Sequence, residues 1–298
     1  MLTVFGTIAL DTTRTPGATV ERILGGAATF AALSASYYVR TRIVGVIGND
    51  FPPPYKKLLS KRLDTLGIMS RIDAKSFHYD SSFDFDLIHR TTNATELNAV
   101  LGFQPRIPDK YIDSEFIYLA NNDPVQNMKI LDLFSAPKLT ICDTIDYWIV
   151  NKKQHVIDMM KKTDGVIINE QEARLLCNDN NLLRCGKILV SFGPEFVVIK
   201  KGENGAVLFH ESEIYPIAGF PTEIIKDPTG AGDSFAGAFI GYLAKTRKRT
   251  ARILKMAVMH GNIMGSFAIE DFGVNRLLKL NRKKILERYS KYSDMLRL

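Results

Sequence analysis

Between Lys226 and Phe239 the chain reads Lys-Asp-Pro-Thr-Gly-Ala-Gly-Asp-Ser-Phe-Ala-Gly-Ala-Phe. Three small residues, Gly230, Ala231 and Gly232, sit between the carboxylates Asp227 and Asp233 and are followed at once by an apolar run. The pattern predicts a tight turn feeding the first turn of a buried helix. A helix start leaves backbone N–H groups without intrahelical partners, and the positive end of the helix dipole gathers there. Such a place holds anions, and the small side chains let a phosphoryl group come up to the backbone. A carboxylate beside an anion cradle repels the anion unless it has another task. The task that fits Asp233 is to accept a proton from a hydroxyl that attacks the phosphoryl group. The competing reading makes Asp233 a helix cap and Asp227 the opener of a turn.

The stretch resembles the signature Asp-Thr-x-Gly-Ala-Gly-Asp of the PfkB, or ribokinase-like, family of carbohydrate and nucleoside kinases. Asp227, Gly230, Ala231, Gly232 and Asp233 match it, Pro228 replaces the family's Thr, and Thr229 takes the variable position. A second stretch, Gly25-Gly26-Ala27-Ala28-Thr29-Phe30, resembles the family's Gly-Gly helix start, which lets backbone approach the substrate. At position 30 many members carry an Asn that contacts substrate and this chain has Phe30, so a substrate with an apolar or aromatic portion is expected over free ribose. The resemblance covers essentially the whole chain. It implies an α/β, ribokinase-like fold: one domain over 1–298 with a mainly parallel sheet, helices on both faces, and a small β-sheet lid from about 12–22 and 67–100.

Length and composition agree with an α/β domain that buries a substantial core. No apolar run reaches membrane-spanning length, and no basic leader precedes Met1-Leu2-Thr3-Val4. Cys142, Cys177 and Cys185 lack metal or redox spacing, which predicts reduced thiols and a cytoplasmic location. The net charge of +7 raises the question of a nucleic-acid partner. Residues 245–255 and 276–298 each carry a net +6, leaving the rest of the chain at −5. The basicity is thus confined to two late surface segments and does not extend to the body holding the candidate site, so neither nucleic acid nor membrane is expected as a partner.

Taken in order, residues 2–9 read as a buried strand with Asp11 just past its end, placed to hold sugar hydroxyls. Residues 42–47 give a second strand, and 55–65 a helix after Pro52-Pro53-Pro54. Phe83, Phe85 and Leu87 alternate with Asp84 and Asp86, which predicts a strand in the lid. On that lid, Arg90 is a candidate for substrate or phosphate contact. The strand at 116–120 ends in Asn121-Asn122-Asp123, and Asn122 and Asp123 are further substrate candidates; that at 139–142 ends in Asp143. Asn169 and Glu172 follow the strand 165–168 and resemble the family's Asn-x-x-Glu motif, which organises Mg²⁺, its waters and the ATP phosphates. The plainer reading is an Asn cap with Glu in the first helical turn. The hairpin 197–209 resembles the nucleotide-side hairpin, with Lys200 and Gly202 near ATP, and His260 falls where members border the adenine.

The resemblance therefore implies transfer of the ATP γ-phosphoryl group to a hydroxyl of a sugar or sugar-like substrate. Asp233 would be the base, with the N–H groups of Gly230, Ala231 and Gly232 holding the phosphoryl charge. Mg²⁺ would be held through water by Glu172, and a monovalent cation such as K⁺ by Asp227. A nucleoside kinase is the alternative within the class, and a catalytically silent sugar- or nucleotide-binding protein the alternative outside it. The expected partner is a small sugar or nucleoside, with a homodimer through the lid also allowed for.

Overall fold

The computed structural model describes residues 1–297. The chain opens with a four-residue buried strand, β1 (Leu2–Phe5), then leaves for a hairpin of β2 (Ala9–Thr15) and β3 (Ala18–Gly25). After α1 (Ala27–Ala35) it returns as β4 (Thr41–Ile47), crosses by α2 (Pro53–Ser60) to β5 (Asp64–Ser70), and makes a second hairpin of β6 (His78–Phe83) and β7 (Arg90–Glu96). Strands and helices then alternate: β8 (Phe116–Leu119), α3 (Pro124–Leu131), β9 (Leu139–Cys142), α4 (Asp146–Lys161), β10 (Gly165–Asn169), α5 (Glu170–Cys177), α6 (Leu182–Ser191) and β11 (Phe196–Lys200). The antiparallel pair β12 (Ala206–His210) and β13 (Glu213–Ile217) follows. The helices α7 (Ala231–Thr246), α8 (Ala251–Ala268), α9 (Asn275–Leu278) and α10 (Arg282–Met295) close the chain.

Nine strands form one sheet in the order β13-β12-β11-β10-β9-β8-β1-β4-β5, parallel from β11 to β5. Its central strands are apolar at successive positions because helices cover both faces. Phe116 and Tyr118 point into the core built with α1, α7 and α8, and Ile117 and Leu119 into the core built with α3 to α6. The fold is thus the α/β architecture expected. β1 is the strand at which the sheet order reverses, with β4 and β5 to one side and β8 to β11 to the other. A crevice outside the carboxyl end of such a strand is where open α/β sheets place ligands.

The small sheet, in the order β3-β2-β6-β7, is the lid. It differs from the expected spans at three points. Its first hairpin runs from Ala9 to Gly25, so residues 2–9 are not one strand: the chain turns at Gly6 and Asp11 belongs to β2. Residues 67–70 lie in β5 of the large sheet, paired with β4. The alternation from Phe83 to Leu87 is the tip of the β6–β7 hairpin, where Leu87 has φ +57° and Phe85 is exposed, because Asp86 accepts the Ile88 and His89 amides and folds the chain back. The helix expected over 55–65 is α2, shorter and earlier, since proline is well suited to the first helical turn.

α7 is buried almost all round, and small residues let it sit close to α1 and α8. A Cβ on Gly237 would come within 2.1 Å of the Ala31 carbonyl oxygen, and one on Gly261 of α8 within 2.7 Å of the Phe235 ring. Gly237→Ala is therefore expected to cost about 1–3 kcal/mol of stability through forced separation of α1 and α7. Gly17→Ala, where an added Cβ meets nothing within 4 Å, is the control. Thermal midpoints of the two variants check this, and equal midpoints would refute it.

Candidate active site

The carboxyl ends of β8 to β11 line one edge of the sheet, bringing Asn121-Asn122, Asp143, Asn169 and Lys200 onto it. The start of α7 meets this edge. Gly230, at φ +75°, is the N-cap, and no side chain caps the helix. The Ala231 amide donates to the Pro228 carbonyl, and the first bond of the helix runs from the Ser234 amide to the Gly230 carbonyl. The amides of Gly230, Gly232 and Asp233 find no acceptor among the described residues. The free donors are therefore Gly230, Gly232 and Asp233; the amide of Ala231, expected in the cradle, is already engaged.

Lys200 lies against this turn: a Cβ on Gly232 would stand 3.1 Å from its Nζ. The ammonium donates to Asp143 Oδ2 at 2.8 Å, and Tyr118 Oη donates to the same oxygen at 3.2 Å. Asp233 stands at the third position of α7, partly buried, with no hydrogen bond to its carboxylate, so it is not a cap. Burial pushes it up to about 6; Asp143 adds to the rise, and Lys200 and Arg90 oppose it. Burial alone would lower Lys200, but Asp143, Glu172 and Asp233 outweigh it and hold the ammonium charged.

Asp11 comes from the lid side. It sits at a β-bulge between Asp11 and Thr13, which re-aims a side chain, and its Oδ2 accepts the Gly26 amide at 3.1 Å while Oδ1 has no partner. Gly25 makes room for it, since a Cβ there would fall 1.9 Å from Oδ2. Burial pushes Asp11 up to about 8, against the Gly26 amide, and the charges of Asp227 and Asp233 add to the rise. Asp227 is fully buried and accepts the Thr229 amide at 2.9 Å and the Gly273 amide at 3.1 Å.

Asp11, Gly25, Gly26, Asp227, Asp233, Glu172, Lys200 and Arg90 thus converge, Arg90 reaching in from β7 over the Tyr79 ring. Asn169 and Glu172 form a capping box on α5: Asn169 Oδ1 accepts the Glu172 amide, and Glu172 Oε2 accepts the Asn169 amide. Burial, with Asp143 beside it, pushes Glu172 up to about 8.

Four candidates lie elsewhere. Phe30 is 1% exposed and packs beneath the turn, where a Cβ on Gly230 would meet its ring at 2.5 Å, so it supports the cradle from within the core. Asp123 caps α3 through the Val125 amide and pairs with Lys152 at 2.6 Å, so each of its oxygens already has a donor within the protein. Gly202 is at an exposed turn, where an added Cβ would meet nothing within 4 Å. His260 stacks on Tyr242 and Tyr289. Tyr242 is eleven residues along α7 from Ala231, roughly 16 Å at 1.5 Å per residue. Burial pushes His260 down to about 4, so it is a neutral core histidine.

Asp143 was legible as a carboxylate at a strand end, but its pairing with Lys200 was not. Also missed was a recess beside Asp11, lined by Phe77, Ile145, Tyr147, Trp148, Asn121 and Asn122 among others. The two basic segments are tied to the body at several points: Arg247 pairs with Glu115, Arg249 with Glu195, and Arg276 and Arg288 with Glu270. Among the described residues no helix is long and apolar enough to cross a membrane, and no group of three or more His, Cys, Asp or Glu is placed to hold a metal ion.

Unpaired helix-start amides, a partly buried carboxylate and a held ammonium thus meet at the switch point of a lidded α/β sheet. The model of the pfkB family of carbohydrate kinases matches residues 128–279, and the chain belongs to that family: it is an ATP-dependent kinase. It is 26% identical over 255 residues to a cytidine kinase of Thermococcus kodakarensis, covering 83% of this chain and 89% of that one. Its fold matches that of a Burkholderia thailandensis nucleoside kinase solved with inosine at a TM-score of 0.80, with 18% identity and 98% of each chain covered. It also matches a protein described as ribokinase II from E. coli, solved with ATP and Mg²⁺, at a TM-score of 0.77, with 18% identity and 99% of each chain covered.

Folded, Asp11 keeps its proton up to about pH 8, whereas the unfolded chain loses it near 3.8. The folded state therefore binds more protons between those values, and stability falls as pH rises through them. Asp11→Asn removes that dependence. Its thermal midpoint is expected to exceed that of the wild type by a few degrees at pH 8, the gain shrinking toward pH 4. A constant difference across the range would contradict the buried-carboxyl assignment.

Proposed function

We propose that this kinase acts on nucleosides, transferring the γ-phosphoryl group of ATP to a hydroxyl of the ribosyl group. The observation that carries the reading is the recess beside Asp11, walled by Phe77, Ile145, Tyr147 and Trp148. Aromatic walls suit the flat face of a nucleobase, admitted when the lid shifts, better than a polyhydroxylated sugar. The nucleoside-acting relatives, matched over most of the chain, support the same choice over the free-sugar reading.

In this reading Asp11 and the Gly25-Gly26 backbone hold the sugar hydroxyls. Asp233, titrating near 6, is ionised at neutral pH yet basic enough to take the hydroxyl proton. The amides of Gly232 and Asp233, the Lys200 ammonium held by Asp143, and Arg90 from the lid face the charge on the moving phosphoryl group. Asn169 and Glu172 would hold Mg²⁺ through water, and the ion would supply positive charge against the ATP phosphates. Asp227 has two amide donors and no basic partner among the described residues, which fits a monovalent cation at that carboxylate. Unchanged turnover with choline in place of potassium would remove that assignment.

A phosphorylation screen of nucleosides against ribose, fructose and other free sugars tests the substrate class. Nucleosides are expected to lead by at least about tenfold in kcat/KM, and a free sugar in the lead would overturn the proposal. On the best substrate, Asp233→Asn is expected to lower kcat by roughly 10²- to 10⁴-fold while ATP binding persists. Wild-type kcat should fall below about pH 6 as Asp233 takes up a proton. A folded Asp233→Asn variant with near-normal turnover would exclude Asp233 as the base.

A further inference from the structure

Asn122, which lines the recess, is 4% exposed. Its amide is oriented by a relay that ends on a backbone group. The Val100 carbonyl can only accept, so Gln126 must offer it Nε2, at 3.1 Å. Gln126 Oε1 is then the atom facing Asn122, and it accepts Asn122 Nδ2 at 3.1 Å. The relay leaves Asn122 Oδ1 as a buried acceptor without any donor in the protein. Leaving a buried acceptor unpaired is costly, and a ligand N–H would satisfy it.

Apolar and aromatic side chains surround this acceptor: Phe77, Leu97, Val100 and Ile145, with Trp148, whose Nε1 donates to Asn121 Oδ1 at 3.1 Å. The recess also includes Thr7, whose hydroxyl accepts the Ala27 amide at the start of α1, beside the Gly26–Asp11 contact. A ring seated here is therefore joined to a sugar over Asp11. The recess as it stands, about 10 Å³, holds no more than a single water, so a ring enters only with a shift of the lid segment carrying Thr95 and Leu97.

Building on the nucleoside reading, we propose that Asn122 Oδ1 makes this enzyme selective for nucleosides whose base carries an exocyclic amino group at its far edge, the cytosine and adenine type. Such an amino group projects furthest from the ring and donates to Oδ1. Uracil and hypoxanthine present an oxygen at the same place, acceptor against acceptor. Their ring N–H lies beside that oxygen and can donate to Oδ1 only if the ring is displaced along its edge, which the walls formed by Phe77, Ile145 and Trp148 oppose. Gln126 is the positioning residue, since it decides which end of the Asn122 amide faces the ligand.

Two matched pairs, cytidine against uridine and adenosine against inosine, isolate this one group. For the wild-type enzyme the amino-bearing member is expected to lead by at least about tenfold in kcat/KM in the pair whose ring size the recess accepts. Asn122→Leu should bring that ratio close to one. Gln126→Leu, which leaves Asn122 free to turn, should lower the ratio chiefly through KM for the amino-bearing member, a split that simple loosening of the fold would not produce. The wild-type ratio decides the matter even if a variant folds poorly. Uridine and inosine used as well as their partners would overturn this inference and leave the nucleoside reading standing. Phosphorylation of free sugars and of no nucleoside would overturn both.

Discussion

Everything at this site turns on how several carboxylates are kept near one another without water. Asp11, Asp143, Glu172 and Asp233 all approach the start of α7, and burial raises three of them well above the ordinary carboxylate range. The fold offers one buried ammonium against them, Lys200, fixed on Asp143, together with the unpaired amides at the helix start. Left to themselves, like charges so placed suppress one another's ionisation. In the proposed reaction a metal-bound phosphate would bring positive charge into this space and ease that suppression.

The parallel sheet makes this convergence possible. Side chains at the carboxyl ends of β9, β10 and β11 share an edge because the strands run the same way, and the antiparallel β12 and β13 extend the sheet beyond them. The lid completes the site with groups that the sheet does not supply. It brings Asp11 on a bulged strand and Arg90 on β7, and Thr13 from the lid meets Thr229 of the turn at 3.3 Å. A buried carboxylate, a cation and a hydroxyl thus arrive on a part of the chain whose outer face is solvated.

Much of this was legible in the sequence, for physical reasons that differ by residue. The small-residue turns at Gly25-Gly26 and Gly230-Ala231-Gly232 were recognisable because only such residues tolerate a close approach, and the structure finds Asp11 and Phe30 in the space their missing side chains leave. Buried strands were evident from their apolar runs. Less visible were pairings across the sequence. Asp143 and Lys200 are 57 residues apart, and nothing local in either announces the other. His260 was misplaced because an apolar helix gives no sign of which face meets nucleotide and which meets Tyr242. Asp123 was misread because a carboxylate before proline at a strand end serves a cap as readily as a substrate. The lid strand at 83–87 failed because a period of two is also what a folded-back hairpin tip can display.

The contact between Phe30 and Gly230 has a wider meaning. Phe30 rides on α1, whose first turn carries the Gly-Gly backbone, and its ring is the bed on which the phosphoryl-side turn lies. The two glycine turns therefore belong to one stiff unit, welded through an aromatic ring where a flexible linker would let them drift. In the proposed reaction the spacing between acceptor and donor would be set when the protein folds, so the entropy of aligning two reactants would be largely settled in advance.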